Sequence, residues 1–258
     1  MLLLCMGLGA QQKYLLENEK MRAEVDLAQG ALLGLQSKVT GWNVVEDEKA
    51  ACSFEANVKL ANGNFFVINA ASQCRPEVTI QGDKLTFVWN GLNVGDQQLD
   101  ATFTGTITMT PDGLVYGGKV VNKSDAIIEQ LAWPFLGEVS IPADTERMLL
   151  QYMNYTKFNT EELYPREAGK GWCNFPEHSF ALINNGKQGL YLSSMDHKLD
   201  EYVRCEYETV PTPAYASFIG TATSKQGNGE RRLMRTRLRA ARMLYVQAHS
   251  DRDLVPFI

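Results

Sequence analysis

Apolar and polar residues alternate with a period of two over most of this chain. The longest example runs from Leu99 to Thr110, where Leu99, Ala101, Phe103, Ile107 and Met109 interleave with Asp100, Thr102, Thr104, Thr106, Thr108 and Thr110. Successive side chains of an extended strand point to opposite faces, so this pattern predicts one apolar sheet face and one lined by threonine. Pro111-Asp112-Gly113 supplies turn geometry, and Leu114 to Asn122 returns as the partner strand.

The same grammar recurs along the chain. Phe54, Ala56, Val58 and Leu60 lead into Asn62-Gly63-Asn64, and Phe65 to Ile68 runs back. Val78 to Ile80 and Leu85 to Trp89 flank Gln81-Gly82-Asp83-Lys84; Met21, Ala23 and Val25 precede Leu32 to Leu35; Ser179 to Ile183 and Gly189 to Ser193 flank Asn184-Asn185-Gly186-Lys187. Hairpins at this spacing, with no alternating helices, predict an all-β fold built from antiparallel sheets.

Two stretches depart from the pattern. Residues 151–178 carry Tyr152, Tyr155, Phe158, Tyr164, Trp172 and Phe175 with little periodicity, and read as a long, functional loop. Beyond residue 230, seven arginines fall between Arg231 and Arg252, while Met234, Leu238, Ala241 and Tyr245 lie at helical spacing. Arginines on both faces of a strand are costly to bury, so the segment after Thr223 is expected to be peripheral, either a docked helix or disordered.

At 258 residues and 45% hydrophobic composition the chain can bury a large core within one domain. The formal net charge of -5 gives no electrostatic reason to seek nucleic acid or an anionic membrane, and points to a neutral or small partner. The opening Met1 to Ala10 is apolar, ends in small residues and is followed by Gln11-Gln12-Lys13. This order predicts the end of a secretory signal peptide cleaved after Ala10; the other reading is a buried first strand. Secreted or periplasmic localisation follows from the first reading. There Cys52, Cys74, Cys173 and Cys205 could form disulfides in three pairings or stay as buried thiols, and no CxxC or Cys/His spacing suggests zinc. No cofactor and no metal are expected.

Particular residues carry a family resemblance. Leu16-Glu17-Asn18 with Met21, then Gly30-Ala31-Leu32 and Lys38-Val39-Thr40-Gly41-Trp42-Asn43, resemble the opening hairpin of galactose-mutarotase-like supersandwich domains that precede glycoside hydrolase barrels. Asn122-Lys123-Ser124-Asp125 and Trp133-Pro134-Phe135-Leu136-Gly137 are similar to the strand pair in the middle of such domains. Tyr164-Pro165 and Gly189 to Asp196 resemble their late aromatic loop and following strand. The resemblance covers roughly residues 13 to 225. It implies an antiparallel two-sheet β-supersandwich over 11–225; residues 1–10, read as a leader, and the basic tail at 226–258 lie outside it, and the arginine-rich tail departs from the family, which would normally show another strand there.

It also implies a carbohydrate-associated, non-catalytic domain of a secreted glycoside hydrolase, whose barrel would be a C-terminal partner. The alternatives are a stand-alone aldose epimerase and a structural surface domain. An epimerase needs a general acid and base at the sugar's anomeric and ring oxygens, for which His178, His197 and His249 are the available histidines. Glu161, Glu162, Glu167, Glu177, Asp196, Asp200 and Glu201 crowd one region, yet no pair among them stands out as a hydrolase couple. Sugars pair apolar C–H faces with hydroxyl edges, so aromatic platforms beside planar polar groups suit them; Tyr164, Arg166, Trp172, Glu177 and His178 are the predicted carbohydrate-binding residues. The other reading is that Tyr164 and Trp172 anchor a loop on the sandwich.

Overall fold

The structure, a computed structural model, describes residues 12–46, 53–142, 145–154, 157–164, 180–195, 203–210, 235–242 and 248–257. The described residues contain one 3-10 turn, Ala70–Ser72, and are otherwise strands and their connections. The first strands are β1 (Lys13–Glu17), β2 (Met21–Asp26), β3 (Ala31–Ser37), β4 (Asn43–Val45), β5 (Glu55–Lys59) and β6 (Phe65–Asn69). After the turn come β7 (Glu77–Gln81), β8 (Lys84–Val94), β9 (Gln97–Met109), β10 (Leu114–Asn122) and β11 (Ile127–Val139). The remainder are β12 (Met148–Asn154), β13 (Lys157–Tyr164), β14 (Phe180–Asn184), β15 (Gly189–Ser193), β16 (Val203–Val210), β17 (Arg235–Arg242) and β18 (Ser250–Phe257).

Every strand pair among the described residues is antiparallel. A nine-stranded sheet runs β1-β2-β3-β4-β11-β17-β16, with β5 on β11 and β6 on β5. A five-stranded sheet runs β18-β10-β9-β8-β7. The expected antiparallel sandwich is therefore present, and a four-stranded sheet, β13-β12-β14-β15, is added to it. Apolar residues from all three sheets join one buried cluster, in which Trp133, Phe54, Phe87 and Phe103 are the largest fully buried side chains.

The alternation that defines β9 explains how the sandwich closes. Leu99, Ala101, Phe103, Ile107 and Met109 are buried, while Thr102, Thr104, Thr106 and Thr108 are only partly covered. Phe103 stacks on Trp89 with ring centroids 5.3 Å apart, and Phe54 meets both edge-on at 4.9 Å. Trp133 enters from β11, whose register with β17 shifts between Ala132 and Phe135. Its indole N–H donates to the Gly117 carbonyl at 2.9 Å, tying the nine-stranded sheet to the five-stranded one. Aromatic pairs in edge and offset geometries add to the area they bury.

Two sequence expectations are corrected. The tail was expected to be a peripheral helix or disordered, but β17 lies inside the nine-stranded sheet between β11 and β16, and β18 pairs with β10. The register sets Glu206 opposite Arg239, and Glu208 and Glu138 opposite Arg237. Backbone pairing with β11 on one side and β16 on the other holds this segment as a strand and overrides the helical spacing of its sequence. Leu254 of β18 is buried in the core. The second correction concerns residues 151–178, whose first part is the hairpin β12–β13 rather than loop. β13 is an edge strand with partial exposure on both faces, so its sequence lacks the clean alternation that marks a half-buried strand.

Cys74 is disulfide-bonded, which resolves the choice between thiols and bridges in favour of at least one bridge. No helix among the described residues is long and apolar enough to cross a membrane.

Candidate functional site

The four-stranded sheet has one face in the core and one in solvent. Leu150 and Tyr152 of β12, Ala181 and Ile183 of β14 and Leu192 of β15 point inward and are buried. On the same inner side the Tyr152 hydroxyl donates to Glu161 Oε1 at 2.6 Å, so this carboxylate is held by a neighbouring phenol.

The other face is set by the register. Thr160, Gln151, Leu182 and Tyr191 form one cross-strand row, and Glu162, Leu149, Asn184 and Gly189 form the next. Phe180 and Phe158 lie one repeat further along β14 and β13. Tyr191 is 56% exposed and Phe158 53%, although large apolar rings are normally covered. The Tyr191 ring stacks on Phe180 with centroids 6.1 Å apart and planes at 24°, which fixes an aromatic platform on β14 and β15.

Planar amides stand beside this platform. Asn184 donates through Nδ2 to Gln151 Oε1 at 2.9 Å and accepts the Gly186 N–H at Oδ1, 3.2 Å away. Both amides are thereby oriented, with the Gln151 amino group turned away from Asn184. The following turn is held by Asn185, which donates to Thr145 Oγ1 at 2.9 Å and accepts the N–H groups of Lys187 and Gln188 at 3.0 Å. Arg147 Nε donates to Glu162 Oε2 at one corner, so the charges flanking the face compensate each other. An aromatic plate beside oriented amides can bind a ligand that offers an apolar face and hydroxyl edges.

Of the predicted site residues, Tyr164 ends β13, is half-buried and packs against the core, as an anchor does. Arg166, Trp172, Glu177 and His178 lie outside the described residues, as do His197, Glu167, Asp196, Asp200 and Glu201. Sequence connects that predicted segment directly to the sheet, since residues 165–179 join Tyr164 of β13 to Phe180 of β14. His249 is exposed, with Nε2 3.0 Å from Asp125 Oδ1, and lies apart from the four-stranded sheet at the start of β18. Among the described residues no group of three or more His, Cys, Asp or Glu is placed to hold a metal ion.

Sequence reasoning missed Gln151, Asn184, Phe158, Phe180 and Tyr191 as a group. Asn184 read as a turn residue and Gln151 as part of a loop. Only the register of β12 with β14 shows that they share a face.

No family model matches the chain, and no curated protein matches it. Solved structures do. A galactose mutarotase-like protein from Lactobacillus casei ATCC 334 superposes with a TM-score of 0.60 at 11% identity, covering 95% of this chain and 98% of that one. A galactose mutarotase related enzyme from Lactobacillus acidophilus matches with a TM-score of 0.52 at 10% identity, covering 95% and 96%. The 4-alpha-glucanotransferase from Thermococcus litoralis matches with a TM-score of 0.55 at 10% identity, covering 97% of this chain but 38% of that one. The fold is thus a galactose-mutarotase-like antiparallel β-sandwich, as the opening hairpin and the central strand pair implied. At these identities the likeness concerns fold alone.

Proposed function

We propose that this chain is a non-catalytic, carbohydrate-binding β-sandwich domain of a secreted glycoside hydrolase. The observation that carries this reading is the solvent-facing surface of β13-β12-β14-β15, where the Tyr191–Phe180 stack lies beside the Gln151–Asn184 amide pair. Exposed, prearranged aromatic and amide groups fit a sugar's alternating apolar and hydroxyl surfaces. The fold likeness is consistent with it, because the glucanotransferase holds this fold as a minor part of a longer chain. Export is supported by the apolar Met1 to Ala10 and by the disulfide at Cys74, since such bonds persist in oxidising compartments.

A glycan array with the full chain tests this reading, followed by calorimetry on the best ligands. Binding that Tyr191→Ala and Gln151→Ala each weaken at unchanged melting temperature is the expected result. A protein that retains no glycan overturns it. The near-complete mutual coverage with the Lactobacillus casei protein favours a second reading, a stand-alone aldose epimerase. Polarimetry with fresh α-glucose and α-galactose separates the two: the first predicts only the spontaneous rate, the second a faster rate lost in His178→Ala.

A further inference from the structure

We infer that the ligand of this face is an extended, uncharged oligosaccharide laid across the strands, rather than a single sugar. The inference rests on the carbohydrate-binding reading above and deepens it. Phe158 on β13 and Tyr191 on β15 are the most exposed aromatic residues of the sheet, and β12 and β14 lie between them. Neighbouring strands stand about 4.8 Å apart, so three spacings separate the two rings by roughly 14 Å across the sheet. One pyranose ring cannot cover both. A chain of several can, with one end on the Tyr191–Phe180 stack and the other on Phe158.

The ground between the two platforms suits such a chain. Gln151 and Leu182 stand side by side in the row that ends at Tyr191, which offers an amide to hydroxyls and an aliphatic surface to ring C–H groups. The amide pair is neutral, and Glu162 at the edge is engaged by Arg147. The charged side chain on the strands of this face, Glu162, is thus compensated by Arg147, while the exposed Lys187 stands in the turn beyond the row that holds Asn184 and Gly189. Charge complementarity therefore selects a neutral chain. Among the described residues the surface is an open sheet and not a closed pocket, which leaves room for the chain to run past Tyr191 and Phe158.

Isothermal titration of the full chain with glucose, galactose and mannose, and with cello-, malto- and manno-oligosaccharides up to the hexasaccharide, tests the inference. In the preferred series, affinity should rise about tenfold or more between the monosaccharide and the longer members. Phe158→Ala and Tyr191→Ala should each lower long-chain affinity by about tenfold, with Tyr191→Phe retaining it. Both side chains are more than half exposed, so melting temperatures should be unchanged. A monosaccharide bound as tightly as the hexasaccharide overturns the inference but leaves the carbohydrate-binding reading standing. So does long-chain binding indifferent to Phe158→Ala, or an oligouronate bound more tightly than any neutral chain. Absence of binding to every sugar overturns both.

Discussion

The indole of Trp133 lies against Gly105 so closely that a Cβ built on the glycine would sit 2.8 Å from the ring. Gly105 belongs to β9 of the five-stranded sheet and Trp133 to β11 of the nine-stranded one, so this contact sets how near the two layers approach. The nearest atoms are ring atoms of a tryptophan that is 1% exposed and is also held by its bond to the Gly117 carbonyl. Gly105→Ala should therefore destabilise by about 1–3 kcal/mol through overpacking. Thermal unfolding checks this: each kcal/mol corresponds to a fall of about 2–4 °C in a chain of this size.

Tyr116 presents the opposite case. Its ring packs edge-on against Trp133 at 5.5 Å, but its buried hydroxyl has no hydrogen-bond partner among the described residues. Burial pushes its ionisation well above the usual tyrosine range. Tyr116→Phe should leave stability unchanged or raise it by about 1 kcal/mol, because an unpaired buried hydroxyl is removed and the ring stays. The pH dependence has a definite sign. The folded phenol ionises later than the unfolded one, so stability present below about pH 10 declines as pH rises above it. Denaturant titrations between neutral and alkaline pH should show a shallower decline in Tyr116→Phe than in the parent.

These two positions show which parts of the molecule were legible in the sequence. β9, β10 and the hairpins β2–β3, β5–β6, β7–β8 and β14–β15 follow from alternation or short apolar runs bounded by turn residues, and the alternation is clearest in β8 and β9, each of which buries one face in the core. The signal fades where a strand does not have one wet and one dry face. The sequence of β13, at an edge, reads as loop, and that of β17 reads as part of a docked helix or a disordered tail. The helical spacing of Met234, Leu238, Ala241 and Tyr245 is a local sequence pattern, which the pairing of β17 with β11 and β16 overrides. The candidate site was legible only as an aromatic-rich region. Which side chains share its face depends on register between strands far apart in sequence, as for Gln151 and Asn184.

The tail then yields a prediction contrary to the one its composition suggested. Deleting residues 226–258 removes β17 from between β11 and β16, stranding two rows of backbone hydrogen-bonding groups, and also removes β18 from β10. Unpaired buried backbone groups are rarely tolerated, so the truncated chain should fail to fold. Circular dichroism and limited proteolysis report the outcome. A truncated chain that unfolds cooperatively at the parent's temperature would show that β17 is dispensable. Leu254→Ala provides a milder version, with an expected loss of about 2–5 kcal/mol for a leucine that is 4% exposed.

The last prediction concerns Cys74 and separates stability from binding. Gln73, next to it, holds β8 as a strand would: its Oε1 accepts the Asn93 N–H at 2.7 Å, and its Nε2 donates to the Asn93 carbonyl at 3.2 Å. The 3-10 turn before it is closed by Asn69, which accepts the Ser72 N–H and receives the Ser72 hydroxyl on its carbonyl at 2.7 Å. This segment is therefore docked by polar contacts on the exposed side of the sandwich, with only Ala70 buried among the residues of the turn. With so little apolar area to hold it, the disulfide at Cys74 should contribute much of its anchoring. Removing a native disulfide typically costs about 2–5 kcal/mol. Cys74→Ser, or reduction of the parent protein, should lower the melting temperature by several degrees or more. Glycan affinity at 25 °C should be retained, because the four-stranded sheet takes none of its strands from this segment. An unchanged melting temperature on reduction would show that the Gln73–Asn93 pairing alone suffices. Lost affinity in a folded Cys74→Ser protein would place the binding surface elsewhere than on β13-β12-β14-β15.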